Sequence, residues 1–163
     1  METIRAAVFL WYIVRHQHVL IQEVIFMAES VLDRVADILT KAKVFQFLTV
    51  DGNKPKGRPF SFFMVHEGRL VFGTGTHKEC YRQMQANPNV EVLAFGGNEF
   101  VRIDGEAEYL NDPAIQERAF AEFSYMPKLY NPENGRVISF FTLKNATAEI
   151  CSLAGEHKEL FTL

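Results

Sequence analysis

The feature that most limits the fold is a set of hairpin-length turns set between short alternating runs. Asp51-Gly52, Glu67-Gly68 and Gly96-Gly97-Asn98 each separate two segments rich in β-branched and aromatic residues. Dipeptides of this kind supply the backbone freedom that a tight hairpin needs. Strands joined so closely pair antiparallel, because a parallel pair needs a long crossover. Six strands are expected: Val44–Val50, Arg58–Val65, Arg69–Thr74, Val90–Phe95, Glu99–Leu110 and Val137–Leu153. Glu99–Leu110 alternates most cleanly, with Val101, Ile103, Ala107 and Tyr109 on one face and Arg102, Asp104, Glu106 and Glu108 on the other. In Arg58–Val65, Arg58, Phe60, Phe62 and Met64 share a face, and Pro59, Ser61, Phe63 and Val65 share the opposite one. Pro59 cannot donate to a ladder, so that end of the strand is an edge or a bulge.

Three short helices accompany the strands. The first starts at Ser30, whose spacing to Asp33 is a capping-box pattern, and buries Leu32, Val35, Ala36, Leu39 and Ala42 before ending near Lys43. The second runs from His77 to Ala86 and stops at Asn87-Pro88, where proline cannot continue it. The third has Asp112 as N-cap and Pro113 at its first position and reaches about Ser124. Met126–Arg136 reads as a loop, and the tail Ala154–Leu163 as a loosely docked segment. The fold class is therefore mainly β with short helices, an antiparallel sheet that removes its edges best by closing into a barrel.

No repeat or linker divides the chain, so its 163 residues make one domain over 27–163, preceded by an extension over 1–26. In that extension Ala6–Val14 is an apolar run too short to cross a bilayer as a helix. Arg15-His16-Gln17-His18 follows it where a signal peptide would place small residues, and Met27 begins a segment that reads like a natural start. An upstream start extension is favoured over a membrane anchor; an extra helix packed on the domain is the third reading. A net charge of −3 argues against nucleic acid as a partner. Two distant cysteines suggest no disulfide framework and fit a reducing, cytoplasmic setting.

Chemistry concentrates in Gly57–Met84. Arg58 opens a run of otherwise aromatic and aliphatic residues, and Gly73-Thr74-Gly75-Thr76 is a small, donor-rich loop. Thr76-His77-Lys78-Glu79 has the capping-box spacing, with Lys78 in the first helical turn. A helix N-terminus offers unpaired N–H groups and partial positive charge, and a cation placed there suggests an anion nearby. Arg58, Lys78 and Thr74–Thr76, with a further hydrogen bond from His77, are the candidate phosphate site. A plainer reading stands beside it: a surface arginine at a strand end, a solvated lysine, and a threonine that only caps.

Other chemistry is sparse. There is no GxSxG, CxxC or HExxH, and no metal site is assigned. His66 lies at a turn and His157 in the tail. Cys80, near a helix start, reads as a small packed thiol rather than a reactive one. No carboxylate pair is assigned and the catalytic residues are unknown. A phosphate site without an evident acid, base or nucleophile points to chemistry supplied by a cofactor.

The order Phe47-Leu48-Thr49-Val50-Asp51-Gly52, Arg58-Pro59-Phe60, Gly68-Arg69-Leu70-Val71-Phe72, Thr74, Lys78, Tyr81, Asn87-Pro88, Arg102-Ile103-Asp104-Gly105-Glu106-Ala107 and Leu143-Lys144-Asn145-Ala146-Thr147-Ala148 resembles the pyridoxamine 5′-phosphate oxidase-like family of FMN-binding split-barrel proteins. The resemblance runs from about Met27 to Leu153. It implies a six-stranded split barrel that dimerises and holds FMN at the subunit interface. Arg58 and Lys78 would bind the FMN phosphate, Thr74 and the helix start would add donors, and the backbone around Pro59, Phe60 and Ser61 would meet the isoalloxazine ring.

Three departures bear on the substrate. Phe63 stands where pyridoxamine phosphate oxidases carry a lysine, Phe100 lies near the place of a glutamine, and the chain finishes at Leu163 without their arginine- and histidine-containing segment. The resemblance is closer to the small branch named after nitroimidazole-resistance reductases. It implies an FMN-dependent oxidoreductase on an unidentified small molecule. A non-catalytic flavin or electron carrier and a haem-handling split barrel are the alternatives.

Overall fold

The computed structural model describes residues 31–155 and 158–163. The expectations for residues 1–26 and for Ser30 lie outside them. Helix α1 covers residues 31–42. There follow β1 (Phe45–Asp51), β2 (Lys54–Phe60), β3 (Phe63–His66), β4 (Arg69–Gly75), α2 (Glu79–Ala86), β5 (Asn89–Gly96), β6 (Glu99–Leu110), α3 (Pro113–Glu122), α4 (Met126–Leu129), β7 (Ile138–Ser152) and β8 (Lys158–Thr162). All pairing is antiparallel, in the order β2-β1-β5-β6-β7-β4-β3, with β8 also on β7. The two ends of this path, β2 and β3, are consecutive in sequence and joined only through Ser61 and Phe62. The sheet must therefore curl round to bring its ends together, while no ladder closes the seam between them. That is a split barrel, and it places β2 at an edge, as Pro59 requires.

Among the described residues eight strands form where six were expected. One comes from a break: Ser61-Phe62 interrupts Arg58–Val65, so the shared faces read from strict alternation do not hold. Phe60 and Phe63 both turn to the main core, while Phe62 and Met64 face a second one. The other comes from the tail, which docks as β8 through Thr147↔Thr162 to Cys151↔Lys158. Its apolar residue Phe161 packs on the core, and Arg34 of α1 reaches Glu159 at 2.8 Å and Glu99 at 2.7 Å.

The main core lies inside the curl. Phe45, Phe47, Phe72 and Phe141 are nearly or fully buried there, with Phe60 stacked on Phe47 at 4.6 Å and Phe72 stacked near Phe141 at 5.7 Å. Each such ring contributes about 1.5–3 kcal/mol through burial. Helix α1 covers one side with Leu32, Val35, Ile38 and Leu39, and Ala42 packs against it as expected; Ile38, which the sequence reading left out, is buried, while Ala36 is only half-buried. The second core sits outside the barrel, where Ile115 and Ala119 of α3 and Met126 of α4 pack on Phe62, Met64, Val71 and Phe140. Asp112 caps α3 as expected, its side chain accepting from the Ala114 N–H at 2.9 Å. The loop expected after Ser124 contains the single turn α4. At Gly105 the β6–β7 register shifts, and a Cβ there would lie 3.1 Å from both Ala146 Cβ and Lys144 O, so glycine gives the tight approach room. No helix among the described residues is long and apolar enough to cross a membrane.

Candidate functional site

The site is built at the barrel seam, where α2 packs on β1 and β4. Its short helix buries one face, Cys80, Gln83 and Met84, and leaves Glu79, Arg82, Gln85 and Ala86 to solvent. On one side of that face is Thr74 of β4, whose hydroxyl lies 3.1 Å from the Cys80 sulfur. On the other is Arg58 of β2. Its guanidinium donates from Nη1 to Thr49 Oγ1 at 2.8 Å and to the Phe47 carbonyl at 3.2 Å, and from Nη2 to Gln83 Oε1 at 2.8 Å. The Thr49 hydroxyl in turn donates to Gln83 Oε1 at 2.6 Å. Arg58, through Gln83, and Thr74, through Cys80, thus both pack against the buried face of α2.

The electrostatics of Arg58 are unusual. Burial pulls its pKa below the ordinary guanidinium value, and no carboxylate pairs with it among the described residues. Its partners are a hydroxyl, an amide and a backbone carbonyl, all neutral. Arginine cannot shed its proton in a protein, so the site carries an uncompensated positive charge. Lys78 adds a second one at the N-cap of α2, exposed to solvent. The N–H groups of a helix's first turn point outward at this end. Two cations, hydroxyls and a helix N-terminus are a donor set that fits a phosphate.

The structure corrects the capping box. Helix α2 starts at Glu79, not His77; Lys78 is its N-cap, in extended conformation, and makes no side-chain cap. The Thr76 hydroxyl instead donates to the Val137 carbonyl at 3.4 Å, and the Thr76 N–H to the same oxygen at 2.9 Å. The competing acceptor, on the residue just before β7, wins because Thr76 is tied to it by its backbone. The exposed His77 ring lies over Gly75, where an added Cβ would come within 2.5 Å of it.

Pro59 and Ser61 are exposed at the seam, with the half-buried Phe60 between them. Burial raises the pKa of the Tyr125 phenol, and the Ser61 hydroxyl beside it pulls it back. Phe63 sits half-buried in β3, opposite Phe72 and edge-on to Phe45 at 6.3 Å. Phe100 is in β6, its ring 5.7 Å from Phe95. Sequence reasoning missed Thr49 and Gln83. A polar residue on the inward face of β1, and another at helical spacing from Cys80 on the apolar side of α2, were the signals available.

A family model described as Pyridoxamine 5′-phosphate oxidase matches residues 31–147. General stress protein 26 of Bacillus subtilis (strain 168) is 29% identical over 101 residues, 57% of this chain and 69% of that protein. The crystal structure of a NimC/NimA family protein from Clostridium acetobutylicum is 26% identical, covers 81% of this chain and 93% of that one, and superposes with a TM-score of 0.72. A pyridoxamine 5′-phosphate oxidase-related, FMN binding protein from Nostoc punctiforme PCC 73102 shares the fold at 19% identity and a TM-score of 0.56, over 78% and 86% of the two chains.

Proposed function

The chain belongs to the pyridoxamine 5′-phosphate oxidase family, and on that premise we propose that it is a cytoplasmic flavoprotein that holds FMN at the seam site and acts as an oxidoreductase on a small molecule. A dimer with the flavin at its interface is part of this reading. The observation that carries it is the half-buried Arg58 guanidinium, which faces only neutral partners. A phosphate would supply the missing negative charge. The FMN-binding relative is consistent with that ligand.

In this reading Arg58 and Lys78 hold the phosphate, while Thr74, His77 and the first-turn amides of α2 add donors; Thr76, whose N–H and hydroxyl both go to the Val137 carbonyl, anchors the loop instead. The backbone of Pro59, Phe60 and Ser61 lies along the flavin ring. Bound flavin supplies the electron and hydride exchange. The chain's own residues bind and orient it: the Thr49–Gln83 pair fixes Arg58, and Phe47 and Phe60 stiffen the edge strand beside the ring. Phe63 brings an apolar ring where a lysine would favour a phosphorylated substrate, so a vitamin B6 phosphate is not the substrate.

The test is a titration of apoprotein with FMN and with riboflavin, together with identification of any cofactor released from the purified protein. Preference for FMN and release of FMN are expected. Equal affinity for the two, or release of haem, would sink the proposal. Turnover with reduced nicotinamide and small-molecule acceptors then separates an oxidoreductase from a flavin carrier without activity.

A further inference from the structure

Gln83 is 8% exposed, on the face of α2 that turns to the barrel. Its Oε1 receives two hydrogen bonds, from Thr49 Oγ1 at 2.6 Å and Arg58 Nη2 at 2.8 Å. Arginine carries donors only, so the amide oxygen, not the nitrogen, must face it. Thr49 completes a closed triangle by accepting from Arg58 Nη1 at 2.8 Å. The guanidinium has five N–H groups, and with the Phe47 carbonyl these acceptors take three of them. The Nε–H and one Nη2–H have no partner among the described residues. Neighbouring donors of this kind are what a phosphate accepts in a bidentate pair.

The choice of an amide is informative. A clamp needed only to hold a half-buried arginine would be served as well by glutamate, which has the same length and would neutralise the charge. Glutamine fixes the same geometry and cancels nothing. We propose that Gln83 is a positioning and specificity residue: it orients Arg58 while leaving its charge uncompensated, so that the site selects phosphorylated over unphosphorylated ligands. This rests on the reading of Arg58 as the phosphate residue.

Two variants test it, each titrated as apoprotein with FMN and with riboflavin and followed by thermal unfolding. Gln83→Glu keeps the clamp and cancels the charge. FMN affinity should fall on the order of ten- to a hundredfold, riboflavin affinity should stay within about twofold, and the unfolding temperature of the apoprotein should hold or rise. Gln83→Met keeps the charge and releases the clamp, so FMN should weaken by less, about three- to tenfold, again without riboflavin following. The inference is overturned if either variant binds FMN as the wild type does, or if FMN and riboflavin weaken together, which would mark a packing role. A wild type that does not prefer FMN overturns the proposed function first, and this assignment with it.

Discussion

Arg58→Ala is the substitution whose consequences can be worked furthest from the structure. The guanidinium gives up three hydrogen bonds, to Phe47 O, Thr49 Oγ1 and Gln83 Oε1. The cost to the fold is limited, because Thr49 and Gln83 still satisfy each other at 2.6 Å. Losing the donors should lower stability by about 1–3 kcal/mol. The cost to FMN is separate. A charge-assisted bond to phosphate contributes about 1.5–3 kcal/mol, which is roughly ten- to a hundredfold in affinity. Lys78→Ala should cost less, under about tenfold, since lysine is a single exposed point charge at the end of a helix whose dipole opposes it. Fluorescence titration of the three apoproteins gives the affinities, and urea unfolding gives the stabilities, with unchanged slopes marking an intact fold. Wild-type FMN affinity in Arg58→Ala, or an equal loss of riboflavin, would refute the phosphate role.

Three further outcomes are expected. Light scattering on the FMN-bound protein should give a dimer; a species of 18.7 kDa carrying stoichiometric flavin would refute a shared site. The exposed apolar side chains Phe95, Leu129, Val137 and Leu160 are available for such a contact. Pyridoxamine and pyridoxine phosphates should not be oxidised at an ordinary enzymatic rate, about 1 per second or more, because Phe63 offers their phosphate no charge; turnover at that rate would overturn this. Burial raises the Tyr109 phenol to about 12. A folded pKa above the unfolded one means that this group's contribution is complete below about pH 10 and is lost as pH rises through about 12. Stability should therefore fall more steeply over that window in the wild type than in Tyr109→Phe, and parallel curves would contradict it.

The strands were legible where one face is buried and turns are sharp. Glu99–Leu110 alternates because Val101 and Ile103 face the core and Arg102 does not, and its bounds were read correctly. The strand break at Ser61-Phe62 was not legible. Alternation continues through it in the sequence, and only the need to curl two sheet ends together turns Phe62 away from Phe60. β8 was missed because its partner strand lies outside its local pattern: Lys158–Thr162 is held by β7, and its ion pair by α1. At the site, residue type and spacing singled out Arg58 and Thr74, which both meet α2. The capping box failed for a non-local reason, since the Val137 carbonyl lies far along the chain from the Thr76 that it engages. Gln83 looked like one more polar helix residue, and its role follows only from the three-dimensional meeting of β1, β2 and α2.

In the proposed reading, one charged site at the seam takes the phosphate of a flavin. A crystal structure of the protein loaded with FMN tests it most directly. The phosphate should lie within hydrogen-bond distance of the Arg58 guanidinium and the Lys78 ammonium, with the ring against Pro59–Ser61. FMN bound elsewhere, for instance in the cleft of about 440 Å³ lined by Leu70, Phe72, Arg69 and Lys144, with Arg58 still holding only Thr49, Gln83 and Phe47, would contradict it.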